Sequence, residues 1–110
     1  LWEELLIGEA EERKRVFKNL EAYIKKIVEV TRKLDPRAEI YLFGSVAEGK
    51  HLLSSDVDIL VVTNTHPGRV LAELWLAGIK EPFEIHVITR SMLETYERRS
   101  KLIRVGAELY

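Results

Sequence analysis

Apolar residues recur at three- and four-residue steps through the first third of the chain: Val16, Leu20, Tyr23, Ile24, Ile27, Val30 and Leu34 form one stripe. The spacing predicts an amphipathic helix over Glu9–Leu34. The pairs Glu11/Arg15, Glu21/Lys25 and Glu29/Lys33 support it in the favourable order, each by about 0.2–0.5 kcal/mol. Asp35-Pro36 ends it, because the residue before proline is pushed out of the helical region. The period then shortens. Ile40–Phe43 is a short apolar run closed by Gly44, and Val57–Val62 is a β-branched run of buried-strand type. Between them, Ser45 is expected to cap a helical turn over Val46–Glu48 that Gly49 terminates. After the breakers Asn64-Thr65-His66-Pro67-Gly68, a helix is predicted over Arg69–Ala77, with Val70, Leu71, Leu74 and Trp75 inward and Gly78 closing it. A third strand, Phe83–Thr89, puts Phe83, Ile85 and Val87 on one face and Glu84 and His86 on the other. A last helix is expected from Thr89 or Ser91, with Met92, Leu93 and Tyr96 inward, running on through Leu102, Ile103 and Val105 to Gly106. Leu1–Gly8 reads as a short apolar turn of helix ahead of all this.

Two acids interrupt this pattern at the head of the second strand. Asp56 and Asp58 are two residues apart, so on a strand they point to the same side, about 7 Å apart at the backbone. Such a pair repels unless a cation lies between its members, and a hard divalent ion such as Mg2+ is the natural occupant. The composition sharpens the point, because the chain has fifteen Glu and three Asp, and two of the three are here. At the end of the first strand, Gly44-Ser45 offers a turn whose free N–H groups and hydroxyl suit a phosphate. The same loop nearly spells a phosphate-binding G-x-x-x-x-G-K-[ST] motif. It fails there: His51 stands where the metal-holding hydroxyl belongs, and another strand follows in place of a long helix.

Gly44-Ser45, ten intervening residues and Asp56-x-Asp58 together resemble the signature of the nucleotidyltransferase superfamily, and in particular its minimal nucleotidyltransferases, which accompany HEPN-domain proteins. The resemblance spans roughly residues 38–89. It implies an α+β fold, a small mixed sheet of three or so strands with helices packed on it. It implies an enzyme that moves AMP from ATP to a protein hydroxyl, with two Mg2+ ions bound through Asp56 and Asp58 and the triphosphate held by Gly44 and Ser45. It also implies a third carboxylate on a later strand, for which Glu84 is the matching position, although the family more often has Asp there. The biological setting it implies is a toxin–antitoxin pair, in which this chain modifies and silences a HEPN ribonuclease. The metal and the triphosphate are supported by the residues themselves; the adenine, the protein acceptor and the toxin come from the resemblance alone.

Other residues admit a functional and a plain reading. His86 shares the face of Glu84 and is either a satisfied structural histidine or a group that binds phosphate or moves a proton. Lys50 and His51 could touch a triphosphate. Arg98, Arg99, Lys101 and Arg104 make a basic cluster, which is either a solvated helix face or a contact for an anionic partner.

Composition bounds the rest. With 110 residues the chain is read as one domain over 1–110, too short for a catalytic core plus an acceptor-binding domain. A formal charge of −1 gives no general case for nucleic-acid or membrane attraction. The absence of cysteine leads to the expectation of no disulfide framework, no zinc site and no thiol nucleophile. No apolar run reaches membrane-spanning length, which leads to the expectation of a cytoplasmic protein. The apolar residues Leu102, Ile103, Val105, Leu109 and Tyr110 must fold back or meet another chain; Leu109 and Tyr110 are assigned to a partner or a second copy. Two competing classes remain open. One is a non-catalytic binding module of the same fold, and the other is a transferase subunit acting on a small molecule or a nucleic-acid end.

Overall fold

A computed structural model describes residue 11 and residues 14–49 and 56–106. After a helical stretch over residues 14–18, the elements are α1 (Leu20–Leu34), β1 (Glu39–Phe43), α2 (Gly44–Ala47), β2 (Val57–Val62), α3 (Pro67–Leu76), β3 (Phe83–Ile88), α4 (Arg90–Arg99) and β4 (Ile103–Val105). The strands form one four-stranded sheet in the order β3-β2-β1-β4. β1 pairs antiparallel with both β2 and β4, whereas β2 and β3 run parallel. The α+β architecture with a mixed sheet is therefore as the sequence led us to expect, with one strand more.

Alternation along the strands gives the sheet two different faces. Ile40, Val57, Ile59 and Val61 point to one side and pack with Ile27 and Val28 of α1 and Val70 and Leu74 of α3. Phe83, Ile85 and Val87 join the same cluster from β3. Phe43, Leu60, Val62 and Ile88 point to the other side, where Leu93 and Tyr96 of α4 cover them. β2 is thus apolar on both faces from Ile59 onward, as befits a central strand. Its only polar side chain is Asp58, near its start.

Several expected details differ. The first helix is interrupted at Asn19, whose side-chain amide donates to the Arg15 carbonyl and competes with the regular ladder. The short helix begins two residues early, at Gly44, with Phe43 in the capping position; Ser45 lies inside it. In α3 only the Val70/Leu74 stripe is buried, and Leu71 and Trp75, one position further round, are exposed. The Lys80 ammonium sits 4.5 Å above the Trp75 ring and covers one face of it. Met92 is likewise exposed, because α4 meets the sheet through Leu93 and Tyr96.

The largest departure is at the end of the described chain. Residues 103–105 do not continue the last helix but form β4 along β1, pairing Ile103 with Leu42 and Val105 with Ile40. Ser100 already has extended dihedrals, and the alternation Ile103-Arg104-Val105 suits a strand. Adding it satisfies backbone groups that β1 would otherwise leave open at a sheet edge. Leu102 folds back onto the α4 side and Val105 onto the α1 side, while Ile103 stays partly exposed. Leu1–Gly8, Lys50, His51, Leu109 and Tyr110 lie outside the described residues. Among the described residues no helix is long and apolar enough to cross a membrane.

One polar cluster ties α4 to the sheet. Arg90 donates to Glu39 Oε2 at 2.6 Å, and the Tyr41 hydroxyl donates to Glu39 Oε1 at 2.7 Å. The Arg90 hydrogen bond holds the Glu39 carboxyl below its ordinary value of 4.5, against the opposing effect of burial. Burial and the Glu39 charge push the Tyr41 phenol up to about 12. A carboxyl with a depressed value in the folded state stabilises the fold above its unfolded value and loses that contribution as pH falls through the folded one. Urea unfolding of Glu39→Gln should therefore show a deficit against the wild type at pH 7 that shrinks steadily below pH 4.5. A deficit independent of pH would mean that the carboxylate charge contributes nothing.

Candidate active site

The face under α4 changes character along the strands. Where α4 covers it, the sheet presents Leu60, Val62 and Ile88; toward the start of β2 and β3 it presents Asp58, Glu84 and His86. The register makes the cluster. Phe43 pairs with Asp58 across β1 and β2, and Asp58 pairs with Glu84 across β2 and β3. His86 lies one step further along β3 on the same face, level with Leu60.

These three side chains each offer a ligand atom within 4.8 Å of the others. His86 Nε2 is 3.6 Å from Asp58 Oδ1 and 3.5 Å from Glu84 Oε1. Both separations are electrostatic contacts, longer than good hydrogen bonds. Nε2 is buried and has no hydrogen-bond partner. The plain reading of His86 as a satisfied structural histidine is thus not what the structure contains. Phe43 holds the imidazole edge-on, with ring centroids 5.1 Å apart, and itself packs edge-on against Tyr96 of α4 at 5.9 Å. The site grades from interior to solvent: the Asp58 side chain is 23% exposed and that of Glu84 55%.

Burial raises the Asp58 carboxyl above its ordinary value, the negative Glu84 adds to the effect, and His86 works against it; Asp56 contributes a smaller increase. Two acids held opposite each other with an unsatisfied ring nitrogen between them form a ready place for a cation. The donor set fits a divalent metal.

The expected site residues fall as follows. Asp58 and Glu84 are brought together. Asp56 is exposed, immediately ahead of β2, and near enough to Asp58 to act on its carboxyl, but it stands outside the three-residue cluster. Gly44 lies against Asp58: a Cβ built on it would overlap Asp58 Oδ2 and stand 3.1 Å from Cγ. Its φ of +74° also belongs to the left-handed region that favours glycine. Ser45 follows it, half-buried, in α2. His86 is the member that sequence reasoning placed on the right face without giving it a partner. Its signal was the two-residue step from Glu84; its contact with Asp58 depends on a strand register that no local pattern announces.

Comparison with known proteins bears on the family and the fold. Residues 24–106 match the family model of the nucleotidyltransferase domain. One solved structure, described provisionally as a nucleotidyltransferase, is 31% identical with a TM-score of 0.58, over 76% of this chain and 97% of that one. A second, from Sulfolobus solfataricus and described in the same way, is 26% identical with a TM-score of 0.55, over 86% of this chain and 85% of that one. No curated protein matches the sequence.

The two positive-φ glycines of this region allow the contact between Gly44 and Asp58 to be weighed by itself. Gly49 has φ +73°, and a Cβ there meets nothing within 4 Å. Gly49→Ala should therefore show backbone strain alone, about 1–2 kcal/mol by urea unfolding. Gly44→Ala should cost visibly more, because the Asp58 carboxylate must also move. Equal losses in the two variants would mean that Gly44 does not shape the site.

Proposed function

The chain belongs to the nucleotidyltransferase domain family, and from that premise we propose that it transfers AMP from ATP to a hydroxyl group of a partner protein. The observation that carries this reading is Asp58 paired with Glu84 at the end of the sheet beyond α4, with Gly44 packed on Asp58. Glu84 discriminates between an enzyme, which needs a further acid beside Asp58, and a binding module that merely keeps the fold. A distant Glu84 would have favoured the module; its position opposite Asp58 favours catalysis.

Asp58 and Glu84, with Asp56 at the rim, are the residues that would hold Mg2+. When bound, the metal would neutralise charge on the reacting phosphate and lower the pKa of the attacking hydroxyl. The chain's own groups divide the remaining work. The free N–H groups of the Gly44-Ser45 turn hold the triphosphate, and the Ser45 hydroxyl donates to one of its outer phosphates. The acceptor oxygen bonds to the α-phosphorus, the bond from that phosphorus to the β-phosphate oxygen breaks, and pyrophosphate leaves. Glu84, the more exposed acid, takes the proton of the acceptor hydroxyl.

The resemblance to minimal nucleotidyltransferases supplies the acceptor: a HEPN-domain ribonuclease that the modification silences, in an antitoxin role within the cytoplasm. Its test is incubation with α-labelled ATP, Mg2+ and a co-encoded HEPN protein, with the label followed on the protein by mass spectrometry. The wild type should label the partner and Asp58→Ala should not. Ser45→Ala, short of one hydrogen bond to a charged group, should lose about 1.5–3 kcal/mol of transition-state binding, roughly 10- to 150-fold in kcat/KM. Absence of label with the wild type would overturn the protein acceptor, and full activity in Asp58→Ala would overturn the site.

A further inference from the structure

We propose that His86 is a ligand in this cation site, and that its imidazole makes the site favour a borderline transition-metal ion of the Co2+ or Zn2+ type over Mg2+. The inference rests on the acidic pair being the cation site of the proposed transferase, and it goes beyond that reading by naming a nitrogen donor and its consequence for metal choice.

Three observations converge on it. The first is the condition of Nε2: it is buried and makes no hydrogen bond, although two carboxylate oxygens lie near it. A buried polar atom without a partner is costly, by about 1–3 kcal/mol. A structural histidine at this place would close on one carboxylate at about 2.9 Å. Instead Nε2 stands almost equally far from both, 3.6 Å from Asp58 Oδ1 and 3.5 Å from Glu84 Oε1.

The second is the size of the gap. Two donors about 2.1 Å from a shared ion are roughly 3.0 Å apart at a right angle and roughly 3.4 Å apart at the tetrahedral angle. The observed separations therefore need adjustment by only a few tenths of an ångström. The third is that the ring is packed in place beside the acids. Phe43 packs edge-on against it, and Phe43 is in turn wedged against Tyr96, so the imidazole is held on the acidic side of the sheet.

The chemistry of the donors then decides the metal. Carboxylates and water suit Mg2+, which sheds water reluctantly and binds through one or two carboxylates plus phosphate oxygens. Imidazole adds little for Mg2+ but binds Co2+, Ni2+ and Zn2+ strongly. Replacing one water by Nε2 would raise affinity for the second group selectively.

Co2+ and Mg2+ titrations by calorimetry, on the nucleotide-free chain, test this without reference to activity. His86→Asn should weaken Co2+ binding at least tenfold while leaving Mg2+ affinity within about twofold. In the wild type, Co2+ should also shift the His86 ring protons into the paramagnetic region of the proton spectrum, a readout that stands even if the variant folds poorly. Unchanged Co2+ affinity in His86→Asn, or equal loss of both metals, would overturn the ligand assignment; the second result would make His86 a positioning residue for the acids. If neither metal binds the wild type while nucleotide transfer persists, the inference fails and the transferase reading survives. If Co2+ binds through His86 but no acceptor is labelled, the inference stands and the transferase reading fails.

Discussion

Everything at this site depends on two like charges being forced to face each other. Asp58 and Glu84 are direct partners in a parallel strand pair, an arrangement that destabilises a sheet when nothing compensates it. The compensation lies on the opposite face. Val57, Ile59 and Val61 of β2 and Phe83, Ile85 and Val87 of β3 share one apolar cluster with the helices beneath. Sliding either strand by one residue would bury an acid there and bring apolar groups to the solvated end. The core thus fixes a register that the acids themselves disfavour. The site is electrostatically strained because the core is well packed.

The same division explains why the acids are available. α4 lies over Leu60, Val62 and Ile88 and is anchored by Arg90 to Glu39 at the far end of β1. Phe43 stands between the two regions, touching Tyr96 on one side and His86 on the other. Had the helix covered the whole face, Asp58 and Glu84 would have needed neutral or internal partners. Because it stops short, Asp58 is half-sheltered and Glu84 is open to solvent. That gradient lets one carboxyl be raised by burial while its neighbour remains accessible.

Most of the elements were legible from the sequence, and the reason is local. The helical stripe up to Leu34, the strand runs at Ile40–Phe43 and Val57–Val62, and the alternation from Phe83 each announce themselves through short-range periodicity. The misread parts are those decided by distant partners. Residues 103–105 have both helical continuity behind them and strand-forming residues within; the open edge of β1 settles the choice. Leu71 and Trp75 look inward by composition, yet α3 rests on the sheet through a stripe only one residue wide. The site was legible to the same depth. The acids were nameable and the shared face of Glu84 and His86 followed from a two-residue step. The grouping of Asp58 with His86, leaving Asp56 at the rim, needed the register.

That register also gives the sequence motif its physical content. Gly44-Ser45 and Asp56-x-Asp58 look like two signals separated by ten residues. In the fold they are one contact. Antiparallel pairing sets Phe43 opposite Asp58, so the residue after Phe43 arrives beside the Asp58 carboxylate. Only a residue without a side chain can pass there, and it must also take φ +74° to turn the chain into α2. The glycine is therefore required twice, by the turn it makes and by the acid it accommodates. Any excursion between the two strands must then return so that β2 pairs with β1 in that same register. The spacing of the motif is thus a condition for closing an antiparallel pair around a carboxylate, and the chemistry occupies the space that the missing Cβ leaves.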